Sequence, residues 1–222
     1  MYEYLIGNLF FVAFWFILYF IRKDLRKEMI FASLLCMPLG LSEVFFIPHY
    51  WNPHRLFNLN PAIESLLFCF TVGGIAAVLY EVVLKKHLKK AREKRIKTKR
   101  HFYALAGVLI FSLISFSFIF KMDLIYTAII AMALGAVAIM LSRKDLIKET
   151  IFGGVLFLII YFVLLFILNT FIFPDIIAKA WNFEHLFGIT IFKIPLEEIL
   201  WALTFGSLWA PIYEDLKGYT LK

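Results

Sequence analysis

The stretch "IPLEEILWAL", Ile194 to Leu203, sets adjacent carboxylates, Glu197 and Glu198, at the mouth of an apolar run. An ionisable group in apolar surroundings costs about 2.5–3.5 kcal/mol at a helix centre, so its presence asks for a role. On a helix the two point about 100° apart. Two acids in unlike environments can hold separate acid and base roles. At i, i+4 and i+7 the stretch reads Glu197, Trp201, Thr204, and an earlier segment reads Glu64, Phe68, Thr71. Acid, aromatic and threonine thus share a face twice. Glu43 lies near the end of another apolar segment, after Pro38 and Gly40, which should loosen its helix. A plainer reading stands beside the chemical one. Pro195 suits a first helical turn, acids there favour the helix dipole, and Trp51 and Trp181 suit an interfacial belt.

The elements that position these groups must live in lipid. Of 222 residues, 62% are hydrophobic and mean hydropathy is +0.83, against about 45–50% apolar in soluble domains. Seven apolar segments are predicted as helices: Tyr4–Ile21, Met29–Ile47, Ala62–Leu84, Phe102–Phe120, Leu124–Leu141, Ile151–Phe173 and Pro195–Ile212. Each is near the roughly 20 residues a span needs, and none alternates like a barrel strand. The first is expected to be a retained helix, since it lacks a basic leader and a cleavage site. Basic residues concentrate on one side of this arrangement. That side is expected to be cytoplasmic, with the N-terminus outside and the C-terminus in the cytoplasm of a multi-pass cell-membrane protein.

The chain repeats itself. "RKDLRKEMIF" (Arg22–Phe31) returns as "RKDLIKETIF" (Arg143–Phe152), and "IESLLFCFTVGGIAAVLYE" (Ile63–Glu81) returns as "LEEILWALTFGSLWAPIYE" (Leu196–Glu214). "HYWNPHRLF" and "AWNFEHLF" are looser partners. The expected architecture is all-α: a first three-helix repeat over 1–84, a basic linker and spacer helix over 85–123, and a second repeat over 124–222. One spacer helix returns the second unit in the first's orientation, so the repeats should be parallel, related by a pseudo-twofold near the membrane normal. Glu81 and Glu214, 17 residues after the outer acids, are read as interfacial. Asp24 and Asp145 are read as paired within their basic turns.

No dinucleotide or phosphate-loop motif is present, and His49, His54 and His185 form no ligand set, so no metal and no cofactor is expected. Cys36 and Cys69 read as packing residues. The net charge of +7 is mostly a topology signal. Lys85–Arg100 lacks the interleaved aromatics that stack bases, which argues against nucleic acid. It suits a solvated linker or a contact to anionic lipids.

The three-helix unit, the Trp-containing loop and "GITIFKIPLEEILWAL" (Gly188–Leu203) together resemble the lycopene cyclase domain of the heterodimeric or fused type. That family's signature, a proline, any residue and two acids, corresponds to Pro195, Leu196, Glu197, Glu198. The resemblance implies a hydrophobic isoprenoid substrate and a non-redox ring closure. A proton is delivered to a terminal double bond, the cation is attacked by a neighbouring double bond, and a proton leaves. It makes Glu197, Glu198, Glu64 and Glu43 the expected catalytic set. Trp201, Phe68, Thr204, Thr71, Trp51 and Trp181 are the expected substrate contacts. Aromatic faces stabilise a cation and exclusion of water protects it. The first unit has only one acid, Glu64, after its proline, while Glu43 fits an acid the family often carries before the Trp loop. Either one composite site draws on both halves, or the chain is a diverged member with changed activity. A non-catalytic isoprenoid-, lipid- or partner-binding module, and a small transporter, are the alternatives.

Overall fold

The computed structural model describes residues 2–56, 59–90, 98–114, 117 and 121–222. Helix α1 (Glu3–Ile21) leads through a 3₁₀ turn to α2 (Arg26–Cys36). A 3₁₀ stretch over Met37–Ser42 holds Pro38 and Gly40, the loosening the sequence predicts, before the short α3 (Glu43–Phe46). Next come α4 (Ile63–Val83), β1 (Leu88–Lys90) and α5 (Thr98–Ile114). The second half holds α6 (Leu124–Ser142), α7 (Ile147–Ile167) with a π-helical end, and α8 (Ile176–Ala180). It closes with a hairpin of β2 (Thr190–Ile191) and β3 (Ile194–Pro195), α9 (Leu196–Trp209), α10 (Ile212–Lys217) and β4 (Tyr219–Leu221).

Among the described residues, five helical segments are long and apolar enough to cross a membrane: Glu3–Ile21, Lys23–Phe46, Ile63–Val83, Leu124–Ser142 and Lys144–Ile172. The fourth and seventh expected helices are shorter. Helix α5 has 17 residues, and the end of its expected segment lies outside the described residues. Helix α9 has 14 residues because the chain turns at Ala210–Pro211 before α10. Pro195 is the residue before α9 and belongs to β3, so the helix starts one position later than expected.

Apolar side chains such as Phe16, Phe20, Leu141, Phe152 and Phe171 face outward, while many carboxylates are buried. Water would reverse that arrangement; lipid favours it, because polar groups must find partners inside the bundle. This pattern and the five apolar helices mark a membrane-associated, multi-pass protein.

Helix α2 packs on α4, α7 packs on α9, and α4 meets α7 to join the halves. Small residues permit the close crossings. A Cβ at Gly73 would lie 2.4 Å from the Cys36 Cβ, and one at Gly154 would lie 2.1 Å from the Ser207 Oγ. Cys36 and Cys69 are free thiols, Cys36 buried and Cys69 half-buried.

The two "RKD" turns do the same work. Arg22 donates Nε and Nη2 to the Asp24 carboxylate, both at 2.9 Å, and reaches the carbonyl oxygens of Glu81 and Lys86, both at 2.7 Å. Arg143 grips Asp145 at 3.0 and 2.8 Å and donates to the carbonyls of Glu214 at 3.1 Å and Tyr219 at 2.6 Å. Each aspartate fixes a guanidinium whose other face satisfies carbonyls left open near a helix end. The expected pairing of Asp24 and Asp145 is therefore met, within a larger cap. Arg143 is only 5% exposed. Arg143→Met should lower unfolding free energy by about 2–4 kcal/mol, because it orphans buried carbonyls. Thermal unfolding in detergent checks this, and an unchanged midpoint would refute the capping role.

Beyond the membrane segments, β1 pairs antiparallel with β4, tying the start of the basic linker to the C-terminal tail. Residues 91–97, the middle of the expected lipid-contact stretch Lys85–Arg100, lie outside the described residues.

Candidate active site

The hairpin ahead of α9 turns through Phe192 and Lys193, with φ of 51° and 66°. Positive φ at both central residues is the geometry whose twist suits a two-residue hairpin. Its second strand runs straight into α9 and so fixes where Glu197 and Glu198 emerge.

The two acids then part. Glu197 turns back toward the hairpin, and its Oε1 accepts from the Phe187 N–H at 2.7 Å and the Tyr126 hydroxyl at 2.8 Å. Glu198 turns inward. Its Oε1 accepts from the Tyr50 hydroxyl at 2.5 Å and the Trp181 indole N–H at 2.8 Å, and its Oε2 from the Tyr161 hydroxyl at 2.6 Å. Glu197 is fully buried and Glu198 is 5% exposed. Three donors on one buried carboxylate are the arrangement that holds negative charge in an apolar site.

Glu198 lies in the wall of a cavity of about 270 Å³. That is at the low end of ligand pockets. The wall is drawn from both halves: Phe11, Glu43 and Phe68 from the first, and Tyr161, Glu198 and Trp201 from the second. Phe68 and Trp201, which align in the two similar stretches of sequence, stack with centroids 5.9 Å apart. Tyr161 sits 5.3 Å from Trp201. The result is a set of π faces around carboxyl groups, a surrounding that stabilises cations.

Glu43 is the cavity's other acid expected from sequence. Its Oε2 accepts from the Ala62 N–H at 2.5 Å, and its Oε1 has no hydrogen-bond partner among the described residues. Glu64 and Glu197 are not part of this wall. Glu64 is bound at the base of its loop, where Oε1 accepts from the Leu56 N–H. Thr71 and Thr204 donate to their own helices, at the carbonyls of Leu67 (3.0 Å) and Leu200 (2.8 Å). A hydroxyl that donates to the i−4 carbonyl keeps only its lone pairs for a ligand.

Trp51 and Trp181 both border the cavity. They form an antiparallel bridge with each other, flanked by Asn52 N–H to Ala180 carbonyl at 2.7 Å and Asn182 N–H to Tyr50 carbonyl at 2.9 Å. The Trp51 and Trp181 rings are 5.5 Å apart. His49 and His185 also meet, with ring centroids 5.7 Å apart. This clasp carries Tyr50 of the first half to Glu198 of the second.

Sequence reasoning missed Tyr50 and Tyr161. Tyr50 adjoins Trp51 in the loop already singled out. Tyr161 lies in an unbroken apolar run and gives no local signal. Glu81 and Glu214, expected at the interface, are fully buried in protein.

With this geometry in hand, comparison with known proteins finds a family match. Residues 123–216, from the start of α6 into α10, match the family model described as lycopene cyclase. No curated protein and no solved structure gives a significant match.

Proposed function

Because residues 123–216 carry a lycopene cyclase family domain, we propose that the protein closes rings on the linear end group of a carotenoid-type isoprenoid, by proton chemistry and without redox change. The observation that carries this is the Glu198 carboxylate, held by Tyr50, Tyr161 and Trp181 in an aromatic cavity that also contains Glu43.

The roles divide between the two acids. Glu43 has one oxygen tied to Ala62 N–H and one without a partner among the described residues, which is the oxygen placed to carry a proton to the terminal double bond. That double bond's electrons form a C–H bond and leave a cation on the neighbouring carbon. A second double bond attacks it, the ring closes, and the cation moves to a ring carbon. Glu198 is the counter-charge during these steps and the acceptor of the proton that leaves as the ring double bond forms. Phe68, Tyr161 and Trp201 shield the cation from water. One proton enters and one leaves, so the product is an isomer of the substrate. Glu64 and Glu197 shape the two loops rather than touch the reacting carbons.

The same proposal takes the chain as seven crossings in two parallel three-helix repeats, with the N-terminus outside. Support comes from the matching Arg22 and Arg143 forks and from the symmetric bridge between the two Trp loops. A non-catalytic module would leave the outer acids toward headgroups; Glu197 and Glu198 are 0% and 5% exposed.

Expression in a lycopene-accumulating bacterium, followed by pigment analysis, tests the function. Cyclic carotene is expected. Folded, membrane-inserted protein with only linear pigment would defeat the proposal.

A further inference from the structure

At the end of the bundle that carries the Arg22 and Arg143 forks, four glutamates converge from four elements: Glu28 on α2, Glu81 on α4, Glu149 on α7 and Glu214 on α10. They form two equivalent pairs in the repeat, Glu28 with Glu149 and Glu81 with Glu214. None is more than 1% exposed. Glu28, Glu81 and Glu214 each offer an oxygen within 4.8 Å of the others.

Glu149 supplies a separate observation. It is 1% exposed, has no donor outside the group among the described residues, and its carboxyl interacts with those of Glu214, Glu81 and Glu28. Among the described residues no donor outside the group reaches any of the eight carboxylate oxygens, and Glu149 and Glu214 meet carboxyl to carboxyl. Among the described residues the neighbouring cations act on them through space but make no hydrogen bond to these carboxylates. Arg22 and Arg143 turn their guanidinium groups to Asp24, Asp145 and backbone carbonyls.

Buried carboxylates without donors must be neutralised by protons or by a bound cation. Three oxygens within 4.8 Å of one another suit a single ion ligated at about 2.0–2.6 Å. The donor set is all oxygen, with no sulfur or imidazole, which selects hard divalent ions. We propose that Glu28, Glu81 and Glu214, flanked by Glu149, bind one hard divalent cation of the magnesium, manganese or calcium class. The ion joins the two halves at the end of the bundle remote from the Glu198 cavity. The absence of metal expected from sequence is thereby revised.

The test uses the full chain in detergent. Purified protein is stripped with chelator, incubated separately with Ca²⁺, Mg²⁺ or Mn²⁺ at pH 8, desalted and analysed for metal. About one ion per chain is expected for at least one of the three, with a rise in unfolding temperature of roughly 5 °C. Glu28→Gln and Glu81→Gln should abolish both effects, whereas Glu184→Gln, at an exposed acid, should retain them. No retained ion and no shift with any of the three would overturn the site. So would wild-type stoichiometry persisting in Glu28→Gln. Should Glu81→Gln fail to fold, the wild-type stoichiometry and Glu28→Gln decide.

Discussion

Glu198→Gln is expected to lower ring formation at least about 100-fold while leaving a folded protein, since removing a general acid or base typically costs 10²–10⁴-fold. The variant fits its site. A glutamine carbonyl can still accept from Tyr50 and Trp181, and its amide can donate to the Tyr161 hydroxyl oxygen. Only the negative charge and the capacity to take a proton are lost. Glu197→Gln is the matched control. Its side chain holds the Phe187 N–H and the Tyr126 hydroxyl, contacts a glutamine carbonyl can keep. It should cost less than about tenfold in the same pigment assay, well below the loss of a group that touches the reacting atoms. Equal losses in the two variants would remove the distinction between them.

Glu43→Gln carries the second large expectation. The amide can still accept from the Ala62 N–H but cannot deliver a proton, so ring formation should again fall by about 10²–10⁴-fold. Glu43→Asp keeps the acid and withdraws it by one methylene, and should recover part of the activity. Cyclic pigment yield, normalised to protein in the membrane, reads both. Full activity in Glu43→Gln would assign the proton to another group.

The two variants also show where the sequence was legible. Adjacent acids on a helix point about 100° apart, and Glu197 and Glu198 do reach different surroundings. Which of them faces the cavity was not legible. The i, i+4 pattern put Glu197 above Trp201, but Phe187 and Tyr126 hold Glu197 away from the cavity and leave Glu198 in its wall with Trp201. That outcome depends on a tight turn with two non-glycine residues at positive φ, for which Phe192–Lys193 offers no customary signal.

Apolar spans, the loosened helix at Pro38 and Gly40, and the paired "RKD" turns were readable because each has a local cause. Tyr161 was not, since one hydroxyl in a long apolar helix matters only through what packs opposite it. The buried acids illustrate the same limit. Glu28 and Glu149 recur in the two copies of one motif, and Glu81 and Glu214 in the two copies of another. Glu81 and Glu214 read singly as interfacial groups, Glu28 and Glu149 drew no reading, and only the convergence of α2, α4, α7 and α10 puts the four together.

The claim that one acid of the composite cavity delivers a proton and another removes one is tested most directly by running the cyclisation in deuterated water. Solvent exchange at Glu43 between turnovers predicts one deuterium per ring formed, on the carbon that receives the first proton. Cyclic product formed in that medium without deuterium would contradict the account.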